Sequence, residues 1–246
     1  MRCKVAGILA VILLSSALGL ASDSATSREV AVSGNTVACA EFEKLVVQPA
    51  GFDAVSFAGI PVPVTDFPKF RAIVFAERDE TAMRGGSKWT PEDFQAVESY
   101  VRAGGIIVFC RYGISTVLAD RALGEWGKLA GFSSWPDAKD PGNVELTSAF
   151  HKWIARALSK EPVPTETNWV AGSVLFAEGL TSAEELAVIS VNSGSMVRPF
   201  ITVNRIGAGC VYFLGTSLDA LTRRQVAPAS TNGLAMTLRA TLTAAR

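Results

Sequence analysis

The stretch from Thr90 to Phe109 constrains the fold of this chain more than any other: a well-capped helix runs through two glycines into an entirely apolar strand. Thr90 suits the N-cap, Pro91 the first helical position, and Glu92 and Asp93 complement the positive end of the helix dipole. Phe94, Val97 and Val101 recur at offsets of three and four, so the helix expected over Thr90–Ala103 has one apolar face. Gly104 is placed to form a left-handed C-terminal cap. Ile106–Phe109 (IIVF) contains no polar residue, as a strand buried on both faces requires. A helix feeding such a strand is half of a βαβ unit. Right-handed crossovers then lead to a parallel sheet with helices on both faces.

The rest of the chain repeats this alternation. Glu29–Ser33, Phe52–Phe57 and Phe70–Ala76 read as strands, and a helix runs from the Gly34-Asn35 turn to about Val47. Another helix is expected over Val117–Leu129. From Glu185 the texture changes: Leu186–Val191, Arg198–Val203 and Cys210–Leu214 are strand-like and separated by short Gly-containing turns. That pattern predicts antiparallel pairing at one side of the sheet. A last helix over Thr231–Ala245 aligns Leu234, Leu238 and Leu242. No linker divides residues 28–246, so one α/β domain is expected there.

The amino terminus reads as an export signal. Arg2 and Lys4 precede the apolar run Val5–Leu14, and small residues lead to Gly19-Leu20-Ala21 before the polar Ser22-Asp23-Ser24. Residues 1–21 are therefore expected to be removed, leaving a secreted or periplasmic protein with no stable membrane span. Cys39, Cys110 and Cys210 would remain, an odd number without a C-x-x-C pair, so at most one disulfide can form. Burial as a small hydrophobe is the expected state of a leftover thiol.

Composition narrows the function. Lys plus Arg equal Asp plus Glu at 23 each, which argues against a nucleic-acid binder. An apolar content of 49% excludes disorder. A single histidine leaves no poly-His metal centre, and no P-loop, Gly-x-Gly-x-x-Gly or His-Glu-x-x-His occurs, so neither metal nor cofactor is expected. The partners left open are a small-molecule ligand, carbohydrate included, and a second copy of the chain in a homo-oligomer. Of the five tryptophans, Trp135 in Ser133–Pro136 is the best placed to stack on a sugar. The competing role for any of them is to seal helices against the sheet.

In an open parallel sheet, ligands sit at the carboxyl ends of the strands. That rule selects Ser33–Asn35, Glu77–Asp79, Cys110–Tyr112 and Thr216–Ser217. The segment from Trp89 through Gly104-Gly105 to Cys110 resembles the central helix, Gly-Gly and strand of class I glutamine amidotransferase-like domains. The nearest branch is the trehalose-utilisation-like (ThuA-like) and β-galactosidase-trimerisation-like group. Val144–Leu146 followed by His151, and Gly207–Gly215, match that group's later elements. The resemblance implies a flavodoxin-like three-layer sandwich. It also implies a nucleophile at Cys110, a base at His151 and an orienting carboxylate at Glu77.

Two departures argue against glutamine hydrolysis. The nucleophile elbow reads Val108-Phe109-Cys110-Arg111-Tyr112 where small residues are needed, and His151 is followed by Lys152 and Trp153 where a His-x-Glu pair is the rule. The reading favoured is an exported module that binds a small molecule, carbohydrate included, or another protein. Its ligand contacts are expected from Asn35, Arg78, Arg111, Tyr112 and Ser217. The alternative is a sugar-processing or hydrolytic enzyme using Cys110 or Glu77 with His151.

Overall fold

The computed structural model describes residues 27–58, 62–76, 89–111, 124–138, 141–158, 174–218, 221 and 228–244. The expected leader, together with Glu77, Arg78, Tyr112 and Trp169, lies outside the described residues. Ten strands are defined: β1 (Glu29–Gly34), β2 (Asp53–Ala58), β3 (Ala72–Phe75), β4 (Ile106–Cys110), β5 (Phe132–Ser134), β6 (Val144–Leu146), β7 (Glu178–Leu180), β8 (Glu184–Val191), β9 (Met196–Ile206) and β10 (Gly209–Leu214). The α-helices are α1 (Thr36–Phe42), α2 (Pro91–Arg102), α3 (Glu125–Ala130), α4 (Ser148–Ala157) and α5 (Pro228–Thr243). A π-helical turn, Glu43–Val47, prolongs α1, and a 3-10 helix, Val64–Lys69, precedes β3.

Eight strands form one sheet in the order β2-β1-β3-β4-β10-β9-β8-β6. From β2 to β10 every pairing is parallel; β9, β8 and β6 then continue it antiparallel. β5 and β7 make a separate two-stranded ribbon. This is the flavodoxin-like sandwich: a mostly parallel sheet with helices on both faces. β10 is antiparallel to β9 but parallel to β4, so the sequence-expected antiparallel strands begin beside it.

Strand alternation divides the interior into two cores. Ile106, Val108 and Cys110 face α1, α4 and α5, whereas Ile107 and Phe109 face α2 and α3. All five residues of β4 are buried, which is why the strand carries no polar side chain. The α2 boundary follows its sequence signals. Thr90 and Asp93 form a reciprocal capping box, and Gly104, at φ +109°, lets Gly105 N–H reach Tyr100 O (3.0 Å) and its own N–H reach Val101 O (2.9 Å). Gly105 must be small, because a Cβ there would overlap the Tyr100 ring.

Candidate functional site

The carboxyl ends of β1, β3, β4 and β10 meet along one rim. Ala76 N–H donates to Ser33 O (2.8 Å), and Arg111 N–H donates to Leu214 O (2.8 Å), which tie the strand ends together. Arg111 follows β4 at φ +45°, a left-handed conformation uncommon for a side chain of its size. It is half-buried, while Thr216 and Ser217 beyond β10 are each 2% exposed. Thr216 Oγ1 is buried without a hydrogen-bond partner. Asn35 lies on the same rim, but its Oδ1 accepts from Ala38 N–H (2.8 Å) as the N-cap of α1, so that oxygen is committed to the fold.

Sequence reasoning did not find the segment Val174–Ala177, which crosses the end of β10. Leu175 N–H donates to Gly215 O (2.9 Å) and Ala177 N–H to Pro199 O (2.8 Å). Gly215 is required there, since a Cβ would overlap Leu175 O. The run is short, apolar and paired through a single bridge to Asp137, so it carries neither strand nor helix periodicity to betray its place.

Cys110 is 1% exposed and belongs to the core beneath α1, α4 and α5. His151 lies on the exposed side of α4, with Phe150, Trp153 and Ile154 turned inward instead. α4 packs on β8 and α5, and α5 packs on β4. The inner side of α4 reaches β10, the neighbour of β4, through Trp153 and Tyr212, whereas His151 is on its outer side and Cys110 is buried beneath the helices. Cys110 and His151 are thus not brought together by these elements. Glu77, Arg78 and Tyr112 lie outside the described residues.

Cys39 and Cys210 are also buried, and among the described residues the three cysteines form no disulfide. Cys39 Sγ approaches Val32 O (3.8 Å). Cys210 is joined to Tyr212, whose hydroxyl accepts from Trp153 Nε1 (3.2 Å). Burial pushes the Cys210 thiol up, opposed by the Tyr212 hydrogen bond and by the charges of Arg205 and Arg71. Trp126, Trp135 and Trp153 are at most 6% exposed. Trp135 packs against Phe213 and so seals the sheet, the more frequent role of a tryptophan in such a domain, rather than standing exposed to a sugar. Among the described residues no group of three or more His, Cys, Asp or Glu could hold a metal ion, and no helix is long and apolar enough to cross a membrane.

No protein-family model matches the sequence, and no curated protein matches it. Solved structures do resemble it. A protein from Bacteroides uniformis described as ThuA-like aligns over 87% of this chain and 91% of its own, at 14% identity and TM-score 0.50. Agd3, described as a carbohydrate deacetylase, aligns over 88% of this chain at 11% identity and TM-score 0.54. A β-galactosidase from Bacillus circulans sp. alkalophilus aligns over 86% at 14% identity and TM-score 0.49. This chain spans 32% of the deacetylase and 30% of the galactosidase. What it shares with the ThuA-like protein and the deacetylase is the fold, the α/β sandwich built above.

Proposed function

We propose that this chain is an exported binding module of the ThuA-like type, directed to carbohydrate and without glutamine amidotransferase activity. The observation that carries the reading is the burial of Cys110 at 1% exposure, with the lone histidine on the outer side of α4. A thiol nucleophile needs access and a base within hydrogen-bond reach. The likeness of the fold to a carbohydrate deacetylase supports the ligand class. Arg111, half-buried, supplies a polar group of the rim, Ser217 lies buried behind it, and Arg78 and Tyr112 follow the same strand ends in sequence. Arg111 is the anchor, since its planar fork can hold sugar hydroxyls or a carboxylate.

The test is a glycan-array screen of the full chain, paired with an assay of ammonia release from glutamine. The expected result is oligosaccharide binding weakened about tenfold by Arg111→Ala, as for loss of one charged hydrogen bond, and no ammonia. Ammonia release abolished by Cys110→Ser would overturn the non-catalytic reading. Absence of any glycan binding would overturn the carbohydrate assignment.

A further inference from the structure

At the amino ends of the parallel strands, opposite the rim, two adjoining grooves of about 510 and 330 Å³ share Trp153, Arg156 and Arg205 as lining residues. That size lies within the usual range for small-molecule sites, about 300–1,000 Å³. Lys152 joins the wall of the smaller groove. Lys152 and Arg156 are one helical turn apart on α4, and Arg205 reaches in from the end of β9. All three are exposed, and among the described residues none of them forms an ion pair.

The opposite face of the sheet is built differently. There the helical cations are matched three or four residues away: Lys69 to Asp66, Arg102 to Glu98 and Lys128 to Glu125. α4 places two like charges on one face with no carboxylate between them, an arrangement that works against the helix. Glu184 is the one carboxylate among the described lining residues, and it is paired with none of the three cations. Trp153 contributes an apolar surface only, because its Nε1 is already given to Tyr212.

We propose that these grooves form one site for a small polyanion carrying at least two carboxylate or phosphate groups. One group is held by Lys152 and Arg156 and the other by Arg205. Guanidinium forks match both carboxylate and phosphate oxygens, so the shared feature is the planar or tetrahedral oxyanion. The site is separate from the rim proposed to take carbohydrate, and Arg111 has no part in it.

Calorimetric titration of the full chain with trigalacturonate and with inorganic pyrophosphate, at low and at physiological ionic strength, tests the proposal. The expected result is saturable binding of at least one anion, weakened by salt. Arg156→Ala and Arg205→Ala should each weaken it about tenfold, and Lys128→Ala, which removes the same charge on the other face, should not. Binding of trigalacturonate alone assigns the ligand to acidic sugars, and binding of pyrophosphate alone to phosphate compounds. No saturable binding of either anion at low ionic strength overturns the site, as does binding that survives both arginine substitutions. Because both arginines are exposed, their loss leaves the core intact, and a circular dichroism spectrum identical to that of the parent verifies it.

Discussion

At the residue scale, Cys110 separates a packing role from a chemical one. A thiol sealed in the core is expected to resist alkylation until the protein unfolds. Cys110→Ser should lower stability by about 1–3 kcal/mol, by placing a hydroxyl among apolar groups, and leave oligosaccharide binding unchanged. Thiol labelling across a urea titration measures both. Glycines give a second residue-level result. Gly207 sits at φ +61° with the Arg102 backbone where a Cβ would be, and at Gly209 a Cβ would overlap the carbonyl oxygens of Gly105 and Val101. Gly207→Ala is therefore expected to cost about 1–3 kcal/mol, read as a shift in urea midpoint. The buried thiol and hydroxyl that follow Gly209 on β10, those of Cys210 and Tyr212, respond to pH. Burial holds the Cys210 and Tyr212 protons above their ordinary thiol and phenol ranges. Unfolded, these groups ionise at their ordinary values; folded, they keep their protons to higher pH. The stability they contribute is complete below about pH 9 and is lost as pH climbs towards the folded values. The urea midpoint should fall above that point, and less steeply in Tyr212→Phe.

At the scale of elements, the capping box of α2 should be worth about 1 kcal/mol, the expected loss in Thr90→Ala by chemical denaturation. This helix and β4 were legible in the sequence because their signals are local: Thr90 and Pro91 at one end, Gly104 at the other, and an unbroken apolar run beyond. The turns Asn192–Gly194 and Gly207-Ala208 were legible for the same reason, and so were the rim positions Asn35, Arg111, Thr216 and Ser217, which follow from strand ends alone. Side-chain destinations were not. Whether His151 faces β4 or solvent depends on where α4 docks, and that is decided by Phe150, Trp153 and Ile154 meeting distant strands. Likewise Trp135 was placed in a loop by its neighbours Ser133, Ser134 and Pro136, whereas its burial is fixed by Phe213, far along the chain. The Val174–Ala177 crossing was invisible because nothing in its own four residues announces a partner.

At the scale of the whole molecule, the three buried thiols make a count that can be checked. Of the 4 cysteines in the chain, Cys3 lies in the segment expected to be cleaved. Protein recovered from the extracytoplasmic fraction should titrate three thiols in denaturant and none before it, and a fourth would mean the leader is retained. The sheet order has a further consequence. β10 is the last strand in chain order yet sits between β4 and β9, so the centre of the sheet is filled last. While the ribosome is still making the chain, β1 to β4 can associate, but the apolar edge of β4 has nothing to pair with until residues 209–214 emerge. An unpaired apolar edge is a template for wrong partners, so the nascent chain depends on being shielded over that interval.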